Sequence, residues 1–134
     1  MSPSTATLAL VTGASSGIGR RIACQLAQAG YHLVIDHFRD PQGAQRTLEL
    51  VRQAGGDGWI ADADVGSASE LDQLFAQIAD SASPLSVLVN NAAVQTFAPL
   101  MSLSEEDWDR TIRTNLKGTF LCTQRAARLM QGRG

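Results

Sequence analysis

Short apolar runs alternate along this chain with stretches in which apolar residues recur every three or four positions. Leu8–Thr12 is the first run, a strand ending in Thr-Gly. From Gly17 the spacing changes to Ile18, Ile22 and Leu26, one face of a helix, and Ala29-Gly30 supplies its stop. Tyr31–Asp36 reads as a second strand around Leu33-Val34-Ile35. Gln42–Ala54 carries Ala44, Leu48 and Val51 on one helical side, Gly55–Gly58 breaks it, and Trp59–Ala63 is a weaker third strand. Ser67-Ala68-Ser69-Glu70 has the form of a capping box. Leu71, Leu74, Phe75 and Ile78 follow it at the i, i+3, i+4, i+7 spacing of a buried helical face. Leu85–Val89 is a fourth strand. A longer helical region starts near Ser104 with acids in its first turn and arginines towards its end, both suited to the helix dipole. Its apolar ladder is Trp108, Ile112, Leu116 and Phe120.

This is a βαβαβαβα pattern. It predicts an α/β fold: a parallel sheet with right-handed crossovers and helices on both faces. The expected strand order is 3-2-1-4, the first half of a doubly wound, Rossmann-type sheet. Ligands bind such sheets at the carboxyl ends of the strands where the order reverses, here between strands one and four. The segments after Thr12 and Val89 are therefore the first places to look for chemistry.

Composition narrows the function classes. A chain of 134 residues is one domain's worth, and 44% apolar with 18% charged residues suits a folded core rather than disorder. The charge balance is 11 − 13 = −2, which argues against a nucleic-acid footprint or a polybasic membrane anchor. Cys24 and Cys122 lack ligand-like spacing, so neither a zinc site nor a disulfide framework is expected, and a reducing, cytoplasmic setting fits. No apolar run reaches the roughly 18–20 residues of a membrane span. Met1–Thr7 is polar and small, unlike a secretory leader. The chain holds one tyrosine, Tyr31, and one lysine, Lys117.

Five segments carry candidate chemistry. Thr12-Gly13-Ala14-Ser15-Ser16-Gly17-Ile18-Gly19 lies at a strand-to-helix junction, where glycines admit close approach and helix N–H groups favour an anion such as a pyrophosphate. No Gly-Lys-Ser/Thr follows, so it is not a P-loop; the plain alternative is a tight turn. Asp36, at the end of strand two, is placed to accept from adenosine ribose hydroxyls and would select NAD. Arg39, or Arg20 beside the glycines, would instead hold the 2′-phosphate of NADP. Asp36 can equally well just end a strand before the Asp40-Pro41 turn. Asp64-Val65 offers a carboxylate to an adenine amino group, or a turn acid. Asn90-Asn91-Ala92-Ala93 can tie loops together and contact a ribose. Asn115 sits inside the long helical region, where Asn is a modest helix former: either solvated or placed for a purpose.

Thr12-Gly-x-x-x-Gly-x-Gly19, Asp64-Val65, Asn90-Asn91-Ala92 and Asn115 stand in the order and spacing of the short-chain dehydrogenases/reductases, and nearly the whole chain from Leu8 resembles that family. The flavour is that of 3-oxoacyl-carrier-protein reductases and glucose dehydrogenases. The resemblance implies an NAD(P)-dependent oxidoreductase moving a hydride between nicotinamide and a carbonyl or alcohol substrate, commonly as a homo-oligomer. It implies that Gly13, Ser15, Ser16, Gly17, Ile18 and Gly19 cradle the dinucleotide. Asp64 and Val65 would hold adenine, and Asn91 with Asn90, Ala92 and Ala93 would line the nicotinamide-side ribose. Asn115 matches the Asn of an Asn-Ser-Tyr-Lys tetrad, which positions a water through a locally distorted helix.

The chain departs from the family in three places. Ala93 replaces the usual glycine, adding a methyl towards the cofactor. The acid of NAD-preferring members falls seven residues past Gly30, which is His37 here, so Asp36 is one place early and points to the other strand face. This tilts the reading towards NADP. The catalytic Ser and the Tyr-x-x-x-Lys are absent, since Ile35 lies four residues after Tyr31 and Arg113 four before Lys117. The expectation is a single partial domain over 1–134 that ends, at Gln131-Gly132-Arg133-Gly134, before the acid/base residues, and that is inactive alone. The alternatives are a stand-alone module that binds a dinucleotide without catalysis, or a half-domain completed by a partner chain.

Overall fold

The computed structural model describes residues 6–132. The first five residues of the leader reading, and Arg133-Gly134 of the expected stop, lie outside them. Four parallel strands form one sheet: β1 (Leu8–Val11), β2 (His32–His37), β3 (Gly58–Asp62) and β4 (Leu85–Val89). Their order is β3-β2-β1-β4, as the alternating pattern predicts. β1 pairs with β2 from Leu8↔His32 to Val11↔Ile35, and with β4 through a register shift between Leu8 and Ala9.

The crossover helices are α1 (Gly17–Gln28), α2 (Pro41–Gln53) and α3 (Ala68–Asp80). Buried strand residues alternate between two cores, as period-two geometry demands. Ala9, Val11, Leu33 and Ile35 pack with Ala23 and Ala27 of α1 and Ala44, Leu48 and Val51 of α2. Leu8, Leu10 and Val34 face Leu71, Leu74, Phe75 and Ile78 of α3. β1 is buried along its length, so it reads as a continuous apolar run.

Helix starts follow local chemistry. Asp40 caps α2 by accepting from Gly43 N, with Pro41 in the first turn. Ser67 caps α3 through Glu70 N, but Glu70 does not close a reciprocal box. Its Oε1 reaches past Ser67 to accept from Asp64 N at 3.3 Å, tying the helix to the exit of β3.

The region after β4 departs most from expectation. An irregular segment and a 3-10 turn (Leu100–Ser102) precede a broken helix: α4 (Glu105–Thr111), a π-helical turn (Ile112–Lys117) and α5 (Gly118–Met130). The predicted ladder is not the buried face. Trp108, Leu116 and Phe120 are more than half exposed. Thr114, Gly118, Leu121, Cys122 and Ala126 face inward instead. The π turn adds residues to one helical turn and shifts the phase of the faces, and the small residues let α5 approach the sheet. Both cysteines are free; burial, first, pushes the Cys122 thiol up to about 12. No helix among the described residues is long and apolar enough to cross a membrane.

Candidate functional site

The turn between β1 and α1 depends on glycine in three ways. Gly13 (φ +61°) and Gly17 (φ +53°) take left-handed angles. A side chain on Gly13 would also press on Ala92 Cα at 2.8 Å. A Cβ on Gly19 would run into the Gly13 carbonyl oxygen and lie 2.5 Å from Asn91 Nδ2. Among the described residues, α2, α3 and α4 each have a side-chain N-cap, whereas α1 starts at Ser16 without one. The N–H groups of its first turn are open to an anionic ligand.

Two straps hold this turn. Arg20 donates through Nη2 to the carbonyls of Ser15 (2.5 Å) and Gly43 (3.2 Å), and through Nε to Thr47 Oγ1 (3.0 Å). Thr47 in turn donates to the Ala14 carbonyl at 2.8 Å. Arg20, a candidate phosphate ligand by sequence, is thus a strut between the glycine turn and α2. On the other side, Thr12 Oγ1 accepts from Asn91 N (3.1 Å) and Ala92 N (3.0 Å). The Asn91 amide donates to the carbonyls of Thr12 (3.1 Å) and Gly13 (2.9 Å). These bonds lock the loop after β4 to the loop after β1.

Asn115 lies in the π turn, which is the distorted helix the resemblance implies. Its Oδ1 accepts from Val94 N and its Nδ2 donates to Val94 O, each at 2.8 Å. The side chain is a two-point clasp on the loop after β4. Its main-chain carbonyl accepts from Thr119 Oγ1 at 3.0 Å.

At the ends of β2 and β3, alternation separates Asp36 from His37. Asp36 shares the Val34 face and is fully buried, its Oδ1 accepting from Ala63 N at 2.9 Å. Burial, first, pushes its carboxyl up to about 8; the Ala63 N–H opposes this, and the charges of Asp62, Asp64 and Glu70 add to it. Arg39 takes a left-handed angle (φ +55°) and stands 4.8 Å over the exposed Phe38 ring. Asp64 is buried, with Oδ1 held by Gly66 N (2.8 Å) and Oδ2 by Arg113 Nη1 (3.2 Å).

These segments enclose a groove of about 560 Å³ at the carboxyl ends of the strands, where the sheet order reverses. Gly13, Ser15, Ser16, Gly17, Ile18, Asp36, Asp64, Val65, Asn91, Ala92 and Ala93 line it, together with His37, Phe38, Ala63, Val94 and Thr114. The remaining candidates lie elsewhere. Gly19 sits beneath the turn, against Gly13 and Asn91. Arg39 lines an outer cavity that shares Phe38, Asp64 and Val94 with the groove. Asn115 lines a neighbouring cavity that shares Ala93 and Val94. Asn90 turns away from the groove and donates to Thr123 Oγ1 at 3.0 Å beside β4. Sequence reasoning missed Thr47 and Arg113 as site-builders, and it quoted Thr12 as the start of the glycine motif without giving its hydroxyl a role.

The arrangement suits a long phosphate-bearing ligand: glycine positions that exclude side chains, uncapped helix N–H groups, and polar residues at both ends. A model of the short chain dehydrogenase family matches residues 7–134. The 3-oxoacyl-[acyl-carrier-protein] reductase FabG of Staphylococcus aureus is 41% identical over 118 residues, 88% of this chain and 48% of that protein. The 3-oxoacyl-[acyl-carrier-protein] reductase of Synechocystis is 38% identical over 130 residues, 97% of this chain and 53% of the relative. The uncharacterized oxidoreductase YgfF of Escherichia coli is 37% identical over 124 residues, 92% and 50% respectively. The chain spans about half the length of the curated relatives it matches. With the strand order, the glycine turn and the Asn115 clasp at a π turn, this places the chain in the short-chain dehydrogenase family.

Proposed function

We propose that this chain is the dinucleotide-binding half of an NAD(P)-dependent oxidoreductase acting on a carbonyl or alcohol substrate. The observation that carries the reading is the groove itself: an uncapped α1 start beside a turn where Gly13 and Gly19 leave no room for side chains. The first-turn N–H groups of α1 orient the pyrophosphate, Asp64 and Val65 flank the adenine end, and Asn91 with Ala92 and Ala93 borders the nicotinamide-side ribose. The cofactor, when bound, supplies the hydride at nicotinamide C4. The reductase names of the relatives support a 3-oxoacyl thioester as substrate of the whole protein.

Preference for NADP rests on charge placement. Arg20 is engaged in the strap, while Arg39 stands at the outer mouth of the groove. The Asp36 carboxyl is turned to the Val34 face and engaged by Ala63, and a histidine occupies the next position. The proton-transfer pair is not in this groove. Tyr31 precedes β2, at the far end of the sheet, and Lys117 is on the exposed side of the π turn. The chain alone is expected to bind a dinucleotide without turnover.

Titration with NADPH and NADH, followed by nicotinamide fluorescence, tests this. Saturable binding that favours NADPH, with no oxidation of NADPH on adding an acetoacetyl thioester, is the expected result. Absence of binding by either dinucleotide overturns the reading, and dehydrogenase rates from the chain alone overturn the division of labour.

A further inference from the structure

We propose that Arg113 is a positioning residue for base recognition, making the groove selective for a purine with a 6-amino group over one with a 6-oxo group. The inference rests on the reading of the groove as a dinucleotide site. Three contacts dock the exit of β3 onto the π turn and the start of α5. Arg113 Nη1 lies 3.2 Å from Asp64 Oδ2. The stem of Arg113 runs against Gly66, where a Cβ would stand 2.9 Å from its Cγ. Val65 packs on Gly118, where a Cβ would stand 2.7 Å from Val65 Cγ2.

The consequence for Asp64 is a fixed orientation. Gly66 N–H holds one oxygen at 2.8 Å and Arg113 the other. Arg113 lines the outer cavity and not the groove, whereas Asp64 borders both. The guanidinium therefore grips the carboxylate from outside and leaves its remaining lone pairs to the groove. Asp36, Asp62 and Glu70 crowd the same corner with carboxyl groups. Arg113 is the arginine that pairs with an acid of this set among the described residues, and with Gly66 N–H it fixes how the Asp64 carboxylate faces the groove. An ionised carboxylate only accepts hydrogen bonds. It welcomes the amino group of adenine, and it meets the carbonyl of hypoxanthine acceptor against acceptor.

The test compares the dissociation constants of reduced dinucleotides bearing adenine or hypoxanthine, with the 2′ substituent held the same. The wild-type chain is expected to favour adenine by about tenfold or more, as for a hydrogen bond to a charged group. Arg113→Met should shrink the ratio to within about threefold, through loss on the adenine ligand. Arg113→Lys should give an intermediate ratio, and Gly66→Ala, which displaces the stem, should move it the same way. Equal weakening of both ligands in the variants would make Arg113 a mere strut and overturn the inference. If Arg113→Met does not melt cooperatively, Arg113→Lys and Gly66→Ala decide by the same ratio. Wild-type binding without base preference sinks the inference and leaves the dinucleotide reading intact; binding of neither ligand sinks both.

Discussion

Asp36 is a carboxylic acid on the Val34 face of β2, and its fate depends on one backbone N–H and much burial. Its folded pKa is raised from 3.8 to about 8. Between those values the folded chain keeps a proton that the unfolded chain has released. The contribution of Asp36 to stability therefore falls as pH rises from about 4 to about 8, by on the order of 1 kcal/mol per pH unit, and is flat on either side. Asp36→Asn keeps an oxygen for Ala63 N and has no proton to lose. Its melting temperature is expected to hold steady between pH 5 and 8 where the wild type declines; parallel declines would show that Asp36 is not the titrating group. At this scale the sequence was informative about faces, because strand alternation alone puts Asp36 opposite His37. It offered Arg20 as a phosphate ligand and Thr12 only as the start of the glycine motif, and did not reveal their structural roles. Their roles depend on partners such as Asn91 and Thr47 that lie far along the chain, and no local pattern announces them.

The start of α1 separates two uses of glycine. At Gly17 only the backbone angle matters, since nothing lies within 4 Å of a Cβ there. Gly17→Ala is expected to cost about 1 kcal/mol. At Gly19 the obstacle is a carbonyl oxygen and an amide already locked in place. Gly19→Ala is expected to cost about 3 kcal/mol or more and to abolish dinucleotide binding. Urea denaturation with a binding titration checks both, and equal effects would contradict this geometry. Elements were legible wherever bulk and periodicity agree, as in the Leu71, Leu74, Phe75, Ile78 face of α3. They were misread around Asn115. There the bulky residues spaced by four stay outside, and Thr114, Gly118 and Ala126, which carry little hydropathy signal, make the contact. The resemblance implied a distorted helix at Asn115, but a π turn has no strong periodicity of its own, so the direction in which it turns the faces was not legible.

For the molecule as a whole, the sheet order followed from alternation and crossover handedness, and the groove's location followed from the order. Several large apolar side chains stand exposed among the described residues. Phe97, Leu100 and Met101 are each at least 85% exposed, and Trp108, Leu116 and Phe120 more than half. β4 pairs only with β1 among the described strands, leaving one edge open. Light scattering is expected to rise with concentration, and Leu116→Glu together with Phe120→Lys should reduce it; a monodisperse monomer at every concentration would refute this. The lock between Thr12 and Asn91 spans 79 residues of chain. During synthesis the glycine turn and its helix emerge early, yet the wall they lean on is made only after β4 has been added and has docked against β1. The ligand cradle is therefore a late product of folding, so any lesion that loosens β4 will silence binding even with the glycine turn itself intact.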